Sequence, residues 1–166
     1  MNNMAKILIT VIFFVSMSQQ SYGSASQKLQ ELKNLNIKHF SSIVEDGGIY
    51  KVIVFYEANE DHAEIYKDRK KLWEQAKGVV STGFKSFEIH SDKKRQRLWG
   101  IFIWGKGVHG EQVQVVDLKS GKALLERTSS WPVLLAKEAN GLTLTSYGDR
   151  ISDNKFKEVS DSLTFD

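Results

Sequence analysis

The sequence predicts a mainly β chain, built as a single antiparallel meander or small propeller-like domain with one short helix as an optional addition. Three observations carry that expectation. Short runs rich in β-branched and aromatic residues recur, such as IYKVIVFY at 49–56 and LWGIFIW at 98–104. Turn signals near residues 92, 106, 120 and 140 are spaced by about one strand and one turn. A single proline leaves the strands uninterrupted, and four tryptophans with nine phenylalanines predict an aromatic core.

Taken in order, Ser24 to Phe40 is a lead-in whose periodicity does not decide between helix and strand: Leu29, Leu32, Leu35 and Phe40 sit near helical spacing, but residues 34–37 alternate. Glu45-Asp46-Gly47-Gly48 is a turn, and Ile49 to Tyr56 reads as a strand buried on much of both faces. Residues 59–80 carry two readings. Ile65, Leu72, Trp73 and Ala76 suit one helix face, with Asn59 as cap and Gly78 as stop. The same residues also suit a hairpin with strands at 63–66 and 71–75 around the charged Asp68-Arg69-Lys70 turn.

From Gly83 onward the β signal is continuous. Phe84, Phe87 and Ile89 lead into a basic turn, and Leu98 to Trp104 places Ile101 and Ile103 on one face and Phe102 and Trp104 on the other. A six-residue glycine-rich loop, Gly105 to Gly110, leads into EQVQVVDL, and a turn at Ser120-Gly121 leads into ALLERT. Asn140-Gly141 between apolar stretches is a strong hairpin signal. The tail from Ile151 suits either a short helix or a last strand.

Residues 1–23 predict a secretory signal. Lys6 precedes the apolar run Ile7–Met17, and Ser21-Tyr22-Gly23 offers a small-residue cleavage site. The run is short against the roughly 20 apolar residues of a spanning helix, so no stable membrane insertion is expected after cleavage. No cysteine follows it to carry a lipid. The expected product is a periplasmic domain of residues 24–166, large enough to bury about two-thirds of its unfolded surface. The absence of cysteine also removes disulfides, thiolate nucleophiles and thiolate metal sites. With 23 basic and 20 acidic side chains, net +3, the balance does not point to nucleic acid. The basic clusters at 67–71 and 93–97 sit at expected turns and read as solvated.

No catalytic or metal motif is spelled out, and no cofactor is expected. Gly105-Lys106-Gly107-Val108-His109-Gly110 matches G-x-G-x-x-G, with Glu126 downstream, but it runs into the period-two stretch Gln112-Val113-Gln114-Val115. A dinucleotide site needs a helix there. His39, His62, His90 and His109 form no H-E-x-x-H pair, there is no G-x-S-x-G elbow around Ser129 or Ser130, and Asn59-Glu60-Asp61 lacks calcium-loop spacing. Glu57, Glu60 and Asp61 read as a solvated polar run. The candidate contact site is therefore the loop itself: Gly105, Gly107 and Gly110 give it freedom, while Lys106, Val108 and His109 project from it. Trp99 and Trp104 are candidate anchors beside it, with burial in the core as the other reading.

From Gly83 to Arg150 the order is an aromatic strand, a charged turn, LWGIFIW, a glycine-rich loop, EQVQVVDLKSGKALLE, Trp131 and KEANGLTLTS. This order resembles small periplasmic immunity proteins that neutralise type VI secretion cell-wall amidase effectors. The resemblance implies a signal peptide, one β-rich propeller-like domain and a loop that plugs the effector's active-site cleft, a role that falls by position on Lys106 to Gly110. The present chain differs in lacking cysteine and in carrying Lys106, Val108 and His109 at that tip. The expected function is thus non-catalytic: inhibition of a peptidoglycan-degrading protein toxin by steric occlusion. Two other readings are an exported hydrolase whose site gathers separated His and carboxylate residues, and an envelope structural protein that associates through an exposed strand edge.

Overall fold

Strand β6 (Arg97–Lys106) is buried along nearly its whole length, and the architecture follows from what covers its two faces. A computed structural model of the chain describes residues 36–78, 83–92, 96–152 and 155–164. The expected signal at 1–23, the lead-in up to residue 35 and the basic cluster at 93–95 lie outside the described residues. The strands belong to one compact unit, Asn36–Asp166.

The described residues are all β, in three antiparallel sheets. The first holds β1 (Asn36–Glu45), β2 (Gly48–Glu57), β3 (Glu60–Lys67) and β4 (Lys70–Gly78) in sequence order. The middle sheet holds β5 (Phe84–Asp92), β6, β7 (Gly110–Asp117) and β8 (Ala123–Ser129), also in order. The third holds β9 (Leu134–Glu138), β10 (Gly141–Ser152) and β11 (Lys155–Thr164), with β10 central. Each sheet is an up-and-down meander, as short connections dictate. The sheets do not close into a barrel.

Alternation along β6 and β7 sorts side chains between two cores. Leu98, Phe102 and Trp104, with Val116 and the following Leu118, pack against Tyr50, Val52, Val54, Ala63 and Ile65 of the first sheet. Trp99, Ile101, Val113 and Val115 pack against Leu142 and Leu144 of the third. The middle sheet is thus apolar on both faces, which is why β6 reads as a nearly continuous hydrophobic run. Gly100 is part of this fit. A Cβ there would come within 2.7 Å of Leu118 Cδ2 and 2.8 Å of Phe87 Cε2.

Polar contacts tie the layers at their margins. Gln114, buried between the first two sheets, accepts from Trp104 Nε1 (3.0 Å) and donates to Gln75 Oε1 (3.1 Å). Asp61, read from sequence as solvated, is buried; its Oδ2 accepts from Phe84 N (2.6 Å) and Lys38 Nζ (2.7 Å), joining the start of β5 to the first sheet. Arg127 grips Asp161 with two hydrogen bonds (2.6 and 2.7 Å), and His90 Nε2 donates to the Gly141 carbonyl (2.6 Å), both across to the third sheet.

Two segments that the sequence left open both resolve as strands, and one expected turn shifts by a residue. The helix reading of 59–80 gives way to the hairpin β3–β4, and no helix occurs among the described residues. Asn59 lies in the β2–β3 turn at φ 66°, and Asp68 turns the next hairpin at φ 54° while its Oδ1 accepts from Ile49 N. Ile65 and Trp73, which share a helix face on paper, are direct cross-strand partners. Pairing of β3 with β2 and the shared core decide against the helix, because both periods bring these apolar residues together and only the hairpin adds a strand partner. The hairpin at Asn140 stands, but its turn residues are Ala139 and Asn140, while Gly141 already pairs with Glu138 in the ladder. The tail forms β11, not a helix.

Gly100→Ala is expected to cost about 1–3 kcal/mol through overpacking, read as a lower denaturation midpoint at unchanged slope. An unchanged midpoint would show that Leu118 and Phe87 do not close tightly over Gly100. His39, between the sheets against Phe84 and Phe87, has its pKa pushed below the ordinary 6.5 by burial. The unfolded chain therefore takes up a proton first as pH falls. Its contribution to stability is complete above pH 6.5 and is lost as pH falls through the lowered folded value. His39→Gln should flatten the stability–pH curve in that window, and an unaltered slope would contradict this assignment.

Candidate functional site

The glycine-rich connection between β6 and β7 is much tighter than six residues. Gly105 pairs with Glu111 and Lys106 with Gly110, which leaves Gly107, Val108 and His109 as the tip. Gly105 and Gly110 therefore serve the ladder and do not loosen the loop. A Cβ on Gly110 would fall 2.6 Å from the Lys106 carbonyl oxygen and 2.8 Å from that of Ser129, so the strands can approach only with glycine there. Gly107 makes the turn, at φ +61°, with open space around it.

Of the projecting residues, Lys106, Val108 and His109 are all exposed, and Val108 most clearly, at 89%. His109 does not stand free. Its ring lies 5.2 Å from that of Trp131, which in turn stacks on Phe156 at 5.4 Å and 25°. Trp131 is 44% exposed. Trp99 and Trp104 are only 4% and 1% exposed, so both follow the core reading, and the surface tryptophan beside the tip is Trp131. An open hollow of about 1000 Å³ runs beside this stack, bordered by Tyr147, Ile151, Lys155 and Lys157.

Trp131 owes its position to two side chains. Ser129, buried at the end of β8, donates from Oγ to the Trp131 carbonyl (2.5 Å) and accepts from Tyr147 N (2.9 Å). Glu111, at the start of β7, accepts from Val133 N (2.9 Å) and pairs with Lys85 (3.0 Å). The segment Trp131-Pro132-Val133 is thereby held at both ends, to β10 and to β7. Sequence reading passes over Ser129 and Glu111, because a serine and a glutamate in exposed-looking strands carry no local mark of a long-range partner.

The four histidines are dispersed. His39 lies between the first two sheets, His62 stacks on Phe55 at 5.1 Å, His90 bonds the Gly141 carbonyl, and only His109 borders the hollow. A second, smaller hollow of about 500 Å³ brings His62 near Glu64 and Glu74 on the first sheet. Those carboxylates are bridged by Lys71, and Tyr66 donates to Glu64 (2.5 Å). The Tyr66 hydroxyl is pushed up to about 12, by burial first and then by that bond. Among the described residues no group of three or more His, Asp or Glu side chains is placed to hold a metal ion. Comparison with known proteins finds no matching protein-family model, no similar curated protein and no similar solved structure.

Because Trp131 is far more exposed than Trp99 or Trp104, Trp131→Phe should remove much of the acrylamide-quenchable tryptophan emission. Ser129→Ala should increase quenching by releasing the Trp131 segment. Quenching that is the same in Trp131→Phe and wild type would place Trp131 in the interior.

Proposed function

We propose that this chain is a periplasmic binding protein that inhibits a peptidoglycan-degrading toxin by occluding its active-site cleft. The observation that carries the reading is the pairing of a short protruding tip, with Val108 almost fully exposed, and an exposed tryptophan locked beside it. The order of strands and turns from Gly83 to Arg150, which resembles the immunity proteins of cell-wall amidase effectors, supplies the choice of partner.

In this mechanism Val108 enters the cleft and Gly107 lets the chain turn sharply behind it. His109, steadied by Trp131, hydrogen-bonds groups at the cleft, and Lys106 pairs with an acidic rim. Trp131 backed by Phe156 acts as the interface anchor, the type of residue that carries a large share of binding energy. A three-residue tip reaches only a short distance, so occlusion depends on the neighbouring hollow seating the rim of the partner as much as on insertion. No cofactor takes part.

The test is capture by the tagged chain from its own cells during toxin expression, followed by hydrolysis of purified peptidoglycan by the captured enzyme. The expected result is one wall-degrading enzyme whose rate falls when the chain is added. Trp131→Ala should weaken that inhibition by about 2 kcal/mol or more, and Val108→Asp and His109→Asp by about tenfold each. An enzyme captured yet fully active would refute occlusion. Inhibition untouched by all three substitutions would move the contact away from the tip.

A further inference from the structure

We propose that the outer edge of β11 is a self-association surface, through which two copies of this chain pair antiparallel and join their third sheets into one. Among the described residues the first and middle sheets each have four strands in sequence order, whereas the third has three, with β11 at its margin. No described strand pairs with the far side of β11.

Edge strands normally carry features that prevent pairing: brevity, bulges, covering segments or inward charges. The other edges of this molecule have them. The unshifted run is six residues in β4 and five in β8, and β5 keeps most of its side chains half-buried. β9 has only 5 residues. β1 shifts at Ile37/His39, and most of its side chains from His39 to Glu45 are half-buried. In β11 the shifts are confined to the Lys155 end, and Glu158 to Thr164 pairs with Gly141 to Tyr147 without interruption. Five of those seven β11 residues are exposed. Val159 stands opposite Ser146 on the side that faces the middle sheet, yet it is 40% exposed. An apolar side chain on the core side of a sheet and open to water marks a missing neighbour.

The occupant that fits is a second β11. With Val159 on the twofold axis, Val159 meets Val159 of the second copy, and Lys157 stands opposite Asp161 of the second copy on both sides of the axis. All of these lie on the same face, the one where Arg127 already holds Asp161. An apolar centre flanked by two symmetric ion pairs is the self-complementary pattern that a twofold interface requires.

The absence of cysteine makes the test clean. Sedimentation of the full wild-type chain over a wide concentration range should show a monomer–dimer equilibrium. Val159→Cys should give a disulfide-linked dimer on mild oxidation, whereas Val44→Cys on β1, although the more exposed of the two at 74% against 40%, should not. Val159→Lys, which sets like charges face to face, should weaken dimerisation by about tenfold or more. A wild-type chain that stays monomeric throughout overturns the proposal, independently of any variant. A dimer in which Val159→Cys fails to cross-link, or Val44→Cys links as readily, overturns this edge as the interface.

Discussion

Burial of the middle sheet on both faces is the constraint on which everything else in this molecule depends. A strand with one wet face can slip by two residues and keep its pattern, but β6 has no wet face to spare. Leu98, Phe102 and Trp104 are committed to the first sheet, and Trp99 and Ile101 to the third. A one-residue slip exchanges these sets, and a two-residue slip misplaces them within both cores at once. Gly100 and Gln114 complete the fit, one by being small and the other by bonding Trp104 and Gln75 within the interface.

That rigidity is handed to the tip. β6 and β7 meet at Gly107-Val108-His109, so the most exposed large apolar side chain among the described residues sits directly on two deeply buried strands. Ser129 and Glu111 then fix Trp131 beside it from two directions, and Phe156 closes the stack from the third sheet. The middle and third sheets both contribute directly to the ordering of this end. A binding surface built this way loses little conformational entropy when a partner docks.

Much of the fold was legible in the sequence, for identifiable reasons. Val-, Ile- and aromatic-rich runs bounded by glycine turns located the strands from Ile49 to Tyr56 and from Leu98 to Leu118, and the opposed faces of Ile101 and Phe102 followed from alternation alone. Residues 59–80 were not decidable, because Ile65 and Trp73 are neighbours in either geometry and the deciding partner, β2, is remote in sequence. The site was legible only in outline. Its position at the Gly105–Gly110 connection was apparent, but not that Gly105 and Gly110 belong to the ladder. A tryptophan's burial is set by tertiary packing, so Trp99 and Trp131 look alike in sequence and differ entirely in place. Ser129, Glu111 and Asp61 act through partners that no local pattern announces.

The layered arrangement also explains how an all-β chain without disulfides supports a projecting contact surface. Stability comes from two cores sharing one sheet, and the margins are joined by ion pairs such as Arg127–Asp161 that are worth at most about 1 kcal/mol each at the surface. The measurement that bears most directly on this account is residue-resolved hydrogen exchange of the full chain. Amides of Ile101 to Trp104 and Val113 to Val116 should be the slowest to exchange, opening only on global unfolding, with β1 and β9 exchanging well before them. Exchange in β6 and β7 as fast as in those edge strands would contradict a middle sheet buried on both faces, and with it the rigid base proposed for the tip.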